Sequence, residues 1–415
     1  QPPTLFGVDR HGRPVGRGLI WMDRQAEPVC RRVLREHAEY VHHYSCNRID
    51  PYYMLSKLVW QKQYHPQDYT RTDSYLSING WLVYQLTGSR LMDVTNANLT
   101  QLLNVYTLNW DRGIFNRLDL NLDKMPPVVS CGTAAGIIRP ELARLWGLPP
   151  QTVVASGCVD GSAAPLGLGL SAEGDVFEMS GTSSGIGVIL SNPRFCPNLS
   201  LMKHVREDKW FLKGSTSCSG GALKWYRDQV DQLADPDCFQ TYSLLAQESP
   251  PGAGGVLFLP YLNGERAPLW DSRLWGVCLG FSSATRKKDL LRAILEGTAY
   301  ALRTILEEFP ANQKQSDVIL GTGGGYSSAL WSQIKADVLG RTICARKTTF
   351  DAAVLGSAYI AMEAVGDPVP KPPRDTEEVL YHPDSALSSV YGRNYRQFQK
   401  AYQATRVLFH EEDEP

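Results

Sequence analysis

The sequence lacks both a strong charge imbalance and a long apolar run. Its 42 Lys and Arg residues nearly match its 43 Asp and Glu residues, so the formal net charge is −1 at pH 7. This balance gives no electrostatic reason to expect nucleic acid or a membrane surface as a partner. A membrane-spanning helix needs about 20 consecutive apolar residues, and neither such a run nor a secretory signal peptide is recognisable. We therefore expect a cytoplasmic protein, with a homodimer left open.

The cysteines give no sign of a disulfide framework or a zinc site. There are nine of them, an odd number, and they are scattered along the chain without a C-x-x-C pair. Reduced thiols in the cytosol are the simplest interpretation of this spacing. No residue is named as a metal ligand from the sequence.

What the sequence does contain is an alternation of strand-like and helix-like segments. At 415 residues the chain exceeds the size at which one hydrophobic core stops growing, so two or three domains are expected. Apolar spacing predicts helices over 74–86 and 289–307 and a buried strand over 153–155. The opening segment has the pattern of two strands around a tight turn at His11-Gly12. Strands that lead into helices through glycine turns indicate an α/β fold.

The segment 176–190 contains a G-x-S-x-G sequence, Gly181-Thr182-Ser183-Ser184-Gly185, of the kind that carries the nucleophile of a serine hydrolase. That motif needs a strand before the serine and a helix after it. Here the residues after the turn have the pattern of a second strand, so we predict a β-hairpin and no nucleophile role for Ser183. The turn is then either an ordinary polar turn or a cradle whose backbone N–H groups and hydroxyls hold phosphate oxygens.

A second glycine-rich loop, Gly321-Thr322-Gly323-Gly324-Gly325, joins a predicted strand to a predicted helix. It is not a Walker loop, because no Gly-Lys-Ser/Thr follows, and Tyr326 stands where a dinucleotide fingerprint has its third glycine. Three adjacent glycines still allow another molecule to lie against the backbone. The loop is therefore equally compatible with nucleotide contact and with a structural turn.

Asp160 follows an apolar strand and precedes a small-residue helix, in the stretch Gly157-Cys158-Val159-Asp160-Gly161. An isolated Asp-Gly in this position is usually a helix cap or a turn residue. The alternative is a general base, because a carboxylate at the carboxyl end of a buried strand can accept a proton from a substrate hydroxyl. The position of Asp160 alone leaves both interpretations open.

Taken together and in this order, these pieces resemble the FGGY family of carbohydrate kinases, xylulokinases among them, within the actin, hexokinase and Hsp70 ATPase superfamily. The similarity extends over essentially the whole chain. The segments that carry it are Leu19-Ile20-Trp21-Met22-Asp23-Arg24, 81–88, Asp93 with Asn96-Ala97-Asn98, 157–164, Gly181-Thr182-Ser183, 261–268, 276–280 with 292–297, and Gly323-Gly324-Gly325 with Trp331, Gln333 and Asp337.

The resemblance implies an α/β fold of two actin-like (ribonuclease H-like) domains with a cleft between them. The first domain, 1–170, would lie on the sugar side and the second, 171–415, on the ATP side. It also implies a kinase that uses ATP and Mg²⁺ to phosphorylate a hydroxyl of a small sugar or polyol, with a xylulose-like ketose as the first candidate. A non-catalytic sugar- or nucleotide-binding protein on the same scaffold is the alternative, and a serine hydrolase comes third.

The resemblance also implies roles for individual residues. Asp160 would contact the substrate and act as the general base, which typically contributes about 10²- to 10⁴-fold in rate. The remaining assignments come from matching positions: Trp21 and Asp23 would border the sugar, Gly181 and Thr182 would hold phosphates, and Gly220, Gly324 and Ser328 would line the adenosine site. Ser183 would not be a nucleophile.

The sequence departs from the family pattern at its start. The family begins with a D-x-G-T/S hairpin whose aspartate helps to place Mg²⁺, and no such segment stands before Gln1. We expect that a segment of the first domain precedes Gln1; a degenerate kinase-like protein is the alternative. In addition, Pro2 and Pro3 stand where xylulokinases usually have methionine and histidine. Xylulose is therefore one candidate beside other ketoses, polyols and sugar acids.

Overall fold

A computed structural model describes residues 3–232, 235, 238–347, 351–370 and 377–410; Gln1 and Pro2 lie outside the described residues. The strands are β1 (Thr4–Val8), β2 (Pro14–Ile20), β3 (Ser74–Leu76), β4 (Met92–Asp93), β5 (Leu103–Asn104), β6 (Asn109–Trp110), β7 (Val128–Val129), β8 (Ala134–Ile137), β9 (Val153–Ala155), β10 (Val176–Ser180), β11 (Ser184–Leu190), β12 (Ser200–Lys203), β13 (Trp210–Ser215), β14 (Leu257–Leu259), β15 (Val277–Leu279), β16 (Val318–Thr322), β17 (Thr342–Lys347) and β18 (Glu377–Tyr381). The α-helices are α1 (Glu27–Ser45), α2 (Met54–Tyr64), α3 (Pro66–Arg71), α4 (Ile78–Thr87), α5 (Val94–Leu99), α6 (Arg112–Arg117), α7 (Pro140–Trp146), α8 (Asp160–Gly167), α9 (Gly220–Trp225), α10 (Cys238–Gln247), α11 (Lys287–Glu307), α12 (Ala329–Leu339), α13 (Ala352–Ala364) and α14 (Ser388–Arg406).

The N-terminal part begins with a three-stranded antiparallel sheet in the order β2-β1-β3. The predicted pair of strands around His11-Gly12 is confirmed as β1 and β2. The prediction of a helix over 74–86 is wrong at its start, because 74–76 pairs with β1 as β3. Ser77 then accepts a hydrogen bond from the Gly80 N–H at 3.0 Å and caps α4. The serine N-cap therefore separates the strand from the helix.

The larger sheet has seven strands in the order β12-β13-β11-β10-β16-β17-β18. β10 and β11 form the predicted antiparallel hairpin, with Ser180 opposite Ser184. β16 lies parallel to β10, and β17 lies parallel to β16. Because parallel strands end at the same edge of a sheet, the turn after β10 and the glycine loop after β16 lie side by side.

Helix α11 lies at the centre of the core next to this sheet, and most of its residues from Leu291 to Leu306 are buried. Side chains from α10, α12 and α14 pack into the same apolar cluster, among them Tyr242, Trp331 and Phe398. Burying a large apolar side chain contributes about 1.5–3 kcal/mol. This packing holds the N-terminus of α12 beside the glycine loop.

The N-terminal and C-terminal parts of the chain meet in a close contact between α8 and α13. A Cβ on Gly167 would lie 2.0 Å from the Ala352 carbonyl oxygen, and a Cβ on Gly356 would lie 2.0 Å from the Ala163 carbonyl oxygen. Only glycine lets the two backbones approach this closely. The contact positions α8, which begins at Asp160, next to the C-terminal part. The boundary between 170 and 171, in the segment between α8 and β10, stays a prediction.

Two further features concern the expectations drawn from composition. All nine cysteines are free thiols, and seven of them are buried. Within the described residues, no helix combines the length and the apolar character that crossing a membrane would require.

Candidate active site

The turn between β10 and β11 has free backbone donors. The Gly181 N–H donates to the Ser183 carbonyl oxygen at 2.9 Å, which closes the turn. The carbonyl oxygens of Gly181 and Thr182 accept hydrogen bonds from the N–H groups of Gly220 (3.0 Å) and Gly221 (2.9 Å) at the start of α9. Among the described residues, no backbone hydrogen bond engages the N–H groups of Thr182 and Ser183. These two amides are therefore available to bind an anion.

The glycine loop after β16 packs directly against the end of β10. A Cβ on Gly323 would lie 2.4 Å from the Ser180 carbonyl oxygen, and a Cβ on Gly325 would lie 2.1 Å from Ser180 Oγ. By contrast, no described atom lies within 4 Å of a Cβ built on Gly324. Gly323 and Gly325 are thus needed for packing, whereas Gly324 faces open space. Of the three adjacent glycines, Gly323 and Gly325 fit the interpretation as a structural turn, and Gly324 remains available to a ligand.

A buried ion pair lies beneath the hairpin turn. Lys335 Nζ is 2.9 Å from Glu178 Oε2 and 2.9 Å from Ser180 Oγ, and both charged side chains are fully buried. The ammonium also lies 4.0 Å from the centroid of the Tyr326 ring. Burial lowers the pKa of Lys335, and the Glu178 carboxylate opposes that shift. The pair connects β10 to α12 and so fixes the strand end from which the turn projects.

A cavity of about 630 Å³, here called the large cavity, opens between the hairpin turn, α9, α10 and the N-terminus of α12. It brings together all five residues that the sequence assigned to the nucleotide: Gly181, Thr182, Gly220, Gly324 and Ser328. Its apolar walls include Phe239, Leu291 and Leu295. Apolar walls with a few polar groups are typical of small-molecule sites of about 300–1,000 Å³.

Ser328 has a structural role in the wall of the large cavity. Its Oγ accepts a hydrogen bond from the Trp331 N–H at 3.1 Å, which makes it the N-cap of α12. The same hydroxyl lies 2.6 Å from Ser243 Oγ on α10. Ser328 therefore joins two helices that form the cavity wall.

A second cavity of about 520 Å³, the middle cavity, continues from the large cavity across the hairpin turn. Gly181, Thr182 and Gly324 line both spaces. On its far side the middle cavity is lined by two basic side chains, Lys213 of β13 and Arg266. Positive charge and free amides make this a suitable environment for phosphate oxygens.

A third cavity of about 110 Å³, the small cavity, adjoins the middle cavity. The two share Lys213, Ser215 and Arg266, and the small cavity adds Asp160. The other lining residues are Tyr52, Leu99, Val159, Gly161, Ser200, Met202, Ala267 and Trp270. The three cavities therefore form a continuous path from the N-terminus of α12 to the N-terminus of α8.

Asp160 presents a carboxylate at the end of this path. It is the first residue of α8, and Val159 occupies the N-cap position, so the helix-cap interpretation of Asp160 is wrong. Asp160 Oδ1 accepts a hydrogen bond from the Gly161 N–H at 2.6 Å. The side chain is otherwise exposed to the cavity, and its second oxygen is free of hydrogen bonds from described residues.

A buried hydrogen-bond network holds the chain that leads to Asp160. The Val159 N–H donates to Thr95 Oγ1 at 2.9 Å. Asp93 caps α5 and accepts from the N–H groups of Thr95 and Asn96 at 3.1 and 3.0 Å. Asn79 Nδ2 bridges Asp93 Oδ2 (3.0 Å) and the Ser156 carbonyl oxygen (2.8 Å). Burial raises the pKa of Asp93, and these hydrogen bonds oppose the shift.

Arg266 is held in the small cavity by its neighbours. Its Nη2 donates to the Thr216 carbonyl oxygen at 2.5 Å. The adjacent Glu265 is buried and accepts from the N–H groups of Ser217 (2.5 Å) and Arg266 (2.8 Å). Burial raises the pKa of Glu265 to about 7. Glu265 therefore positions the backbone from which the Arg266 side chain reaches the cavity.

Trp21 and Asp23, the residues predicted to border the sugar, stand just outside the lining of the small cavity. The Trp21 ring centroid lies 6.2 Å from that of Tyr52 and 5.9 Å from Arg266 Cζ. Both of these contacts are lining residues. Asp23 accepts hydrogen bonds from the backbone N–H (2.9 Å) and Nε2 (2.8 Å) of Gln25. Trp21 thus contacts two lining residues of the small cavity, and Asp23 forms a local turn.

Two domain descriptions of one protein family match successive parts of this chain. The N-terminal domain of the FGGY family of carbohydrate kinases matches residues 1–167, and the C-terminal domain of that family matches residues 178–365. The chain belongs to the FGGY family of carbohydrate kinases. It is therefore a phosphotransferase with an alcohol group as acceptor, as the sequence motifs predicted.

Other FGGY kinases are similar along most of the chain. Xylulose kinase of Bacillus subtilis (strain 168) is 28% identical over 343 residues, which cover 81% of this chain and 68% of the relative. Gluconokinase of Bacillus licheniformis is 27% identical over 382 residues, which cover 88% of this chain and 72% of the relative. Ligand-bound xylulose kinase from Lactobacillus acidophilus superposes with a TM-score of 0.90 at 22% identity, over 99% of this chain and 84% of that chain. This likeness confirms the predicted α/β fold of two actin-like domains.

The FGGY motifs predicted more of the lining residues of the large cavity than of the small cavity. Among the lining residues of the small cavity, only Asp160 had a role predicted from the sequence. Lys213, Ser200 and Ser215 were missed, because they come from two strands without a recognisable motif. One sequence signal was present: Lys213 interrupts the apolar strand Trp210-Phe211-Leu212. Because lysine is rare in strands with buried apolar neighbours, its presence here indicates a candidate functional residue.

Proposed function

We propose that this FGGY kinase transfers the γ-phosphoryl group of ATP to a hydroxyl of a small sugar or polyol bound in the small cavity. The observation that carries the proposal is the continuous path of three cavities. A space of nucleotide size stands at one end, a turn with free amides lies in the middle, and a free carboxylate stands at the other end. Phosphoryl transfer depends mainly on such alignment and on charge stabilisation.

Asp160 would act as the general base. Its free carboxylate oxygen would accept the proton of the acceptor hydroxyl while the hydroxyl oxygen attacks the γ-phosphorus. The hydrogen bond from Gly161 and the support of Val159 by Thr95 keep the carboxylate in a defined position. A positioned base of this kind typically contributes about 10²- to 10⁴-fold in rate.

ATP would extend from the large cavity into the middle cavity. The adenosine would lie against Gly220, Gly324 and Ser328, where the open space at Gly324 leaves room for it. The polyphosphate would cross the hairpin turn and accept hydrogen bonds from the amides of Thr182 and Ser183. Glycine at 181 lets the phosphates approach the backbone closely.

Mg²⁺ is expected with ATP, and the residues present fit it. Mg²⁺ usually binds through one or two carboxylates, substrate phosphates and water, so it needs no dedicated protein cage. The described residues contain no cluster of three His, Cys, Asp or Glu side chains suited to a metal. Asp351 of the middle cavity is the carboxylate that would hold it, which leaves the free oxygen of Asp160 for the proton of the acceptor. Bound Mg²⁺ would neutralise charge on the transferring phosphoryl group.

A xylulose-like ketose is the first candidate for the acceptor, as in the xylulose kinase relative. Trp21 and Asp23 would border it, Trp21 through its contacts with Tyr52 and Arg266. A sugar acid is the second candidate, since the gluconokinase relative acts on one and two cationic side chains line the small cavity.

The test is ADP release with a panel of pentuloses, hexuloses, polyols and aldonic acids, measured for the wild type and for Asp160→Ala. We expect turnover of one class of acceptor and a loss of about 10²- to 10⁴-fold in kcat for the variant. Glu141→Gln is the matched control, because Glu141 is an exposed carboxylate in the first turn of α7, outside the cavities. It should retain wild-type kcat.

Two results would contradict the proposal. If the wild type released ADP with none of these compounds, the proposed reaction would be wrong for this panel of acceptors, and a sugar- or nucleotide-binding role would replace it. If Asp160→Ala turned over as fast as Glu141→Gln, the assignment of the general base would be wrong while the kinase activity stood.

A further inference from the structure

Lys213 lies on the face of β13 that looks toward α8. In the β11–β13 pair it stands opposite Gly187, while Gly185 stands opposite Ser215. A Cβ on Gly185 would lie 2.6 Å from Lys213 Cε and 3.3 Å from Nζ. Because both neighbouring positions on β11 are glycines, the lysine side chain lies across that strand.

The ammonium of Lys213 reaches the turn that carries Asp160. A Cβ built on Gly161 would lie 3.8 Å from Lys213 Nζ. Lys213 also lines both the middle cavity, which contains the free amides of the hairpin turn, and the small cavity, which contains Asp160. Its charge therefore stands where the two cavities join.

No described residue forms a hydrogen bond or an ion pair with the Lys213 ammonium. Burial lowers the pKa of Lys213 to about 8; the nearby Arg266 adds to this shift and Asp160 opposes it. A desolvated ammonium that lacks a hydrogen-bond or ion-pair partner lowers the free energy of unfolding. The three buried lysines among the described residues differ from the partly buried Lys213 in this respect, and Lys57 Nζ, for example, donates to the Ile20 carbonyl oxygen at 2.6 Å. Lys335 is paired with Glu178, and Lys203 Nζ donates to three backbone carbonyl oxygens at 2.7–3.1 Å.

We propose that Lys213 is a further catalytic residue, whose ammonium binds the γ-phosphoryl group while it passes from ATP to the acceptor. The proposal rests on the function proposed above. In the transfer, the acceptor oxygen forms a bond to the γ-phosphorus, and the bond from that phosphorus to the β–γ bridging oxygen breaks. ADP leaves with that electron pair, and the acceptor proton goes to Asp160. Lys213 would offset the negative charge on the equatorial phosphoryl oxygens throughout this step.

The variant Lys213→Met tests this role, because it removes the ammonium without breaking a hydrogen bond or ion pair to a described residue. We expect kcat to fall about 10²- to 10³-fold, the loss typical of removing one donor to a transition-state oxyanion. The affinity for AMP-PNP, measured by calorimetry, should fall about 10- to 100-fold because it carries a γ-phosphoryl group, whereas the affinity for ADP should not change. The melting temperature should equal or exceed that of the wild type, since a cation without a partner is removed.

Lys203→Met is the matched control, because Lys203 is a buried lysine of β12 whose hydrogen bonds are all to backbone. It should lower the melting temperature and leave AMP-PNP affinity unchanged. Should Lys213→Met not yield folded protein, Lys213→Gln gives the same comparison with a side chain that keeps a polar end. The ratio of AMP-PNP to ADP affinity is then read from that variant.

The proposal would be overturned by unchanged AMP-PNP affinity and kcat in the variant. It would also be overturned by a rise in KM for the acceptor alone, which would make Lys213 a sugar-binding residue. If the wild type bound AMP-PNP but phosphorylated no acceptor, the proposed function would be contradicted. The AMP-PNP affinity of the variant would still show whether Lys213 binds the γ-phosphoryl group. A wild type that binds no AMP-PNP would overturn both.

Discussion

The large and small cavities are built from different parts of the chain in different ways. The polar lining of the large cavity comes mainly from backbone and short side chains at the hairpin turn, the start of α9 and the start of α12. The small cavity is lined by a carboxylate, two cationic side chains and aromatic rings from widely separated segments. Backbone groups do not depend on the identity of the side chain, so single substitutions should alter the polar lining of the large cavity less than that of the small cavity.

The two cavities also differ in how they are supported. Beneath the hairpin turn of the large cavity, the Glu178–Lys335 ion pair is fully buried, with 2.9 Å between Oε2 and Nζ. Beside the small cavity, the buried Glu265 accepts hydrogen bonds from the backbone N–H groups of Ser217 and Arg266, and burial raises its pKa to about 7. The first support is an ion pair, and the second is a carboxyl group whose charge depends on pH.

The largest effect on stability is expected on the large-cavity side, from Lys335→Met. Removing one member of a buried ion pair leaves the Glu178 charge uncompensated and typically costs about 3–5 kcal/mol. The free energy of unfolding in denaturant measures this, with the exposed Lys400→Met on α14 as control. The double variant Glu178→Leu/Lys335→Met should regain most of the loss. A single variant no less stable than Lys400→Met would show that the pair does not support the turn.

An intermediate effect, on the small-cavity side, depends on pH through Glu265. Its pKa is raised from 4.5 to about 7 in the folded protein, so between these values the folded state holds a proton that the unfolded state releases. Stability relative to Glu265→Gln should therefore fall by about 3 kcal/mol as pH rises from 4.5 to 7, and stay level above that. Denaturant unfolding of both proteins across this range tests it. A constant difference would mean that the charge of Glu265 does not change with pH.

The smallest effect is expected for Ser328→Ala in the wall of the large cavity. Loss of an N-cap hydroxyl costs about 1 kcal/mol, and the partner Ser243 also loses its contact. ADP affinity should fall by less than about tenfold, because one hydrogen bond or a small shift of α12 is lost. Ser77→Ala removes the N-cap of α4, outside the three cavities, and should lose similar stability without a change in ADP affinity. If Ser328→Ala and Ser77→Ala bound ADP with equal affinity, Ser328 would have no role in nucleotide binding.

Local backbone requirements explain why the large cavity could be predicted from the sequence. A turn that packs against Ser180 needs glycine at 323 and 325. The hairpin turn at 181–183 consists of glycine, threonine and serine, residue types that are common in turns. Such requirements are imposed by residues close in the chain or on the adjacent strand. They leave a pattern that is visible without knowing the fold.

The segment 74–76, just before α4, shows the limit of the same reasoning. Apolar spacing over 74–86 predicted one helix, but 74–76 became a strand because β1 offers it a pairing edge. The competing partner lies about 70 residues earlier in the chain, at Thr4–Val8. Periodicity alone contains no information about such a partner.

The sequence by itself determined the fold class, the hairpin in place of a nucleophile elbow, and the glycine and hydroxyl residues that line the large cavity. Only the tertiary structure decided that Asp160, Lys213 and Arg266 meet in one small cavity and that the partly buried Lys213 ammonium lacks a hydrogen-bond or ion-pair partner within the described residues. The reason is physical. Backbone conformation is constrained by neighbouring residues, whereas the environment of a charged side chain depends on which distant strands and helices pack around it.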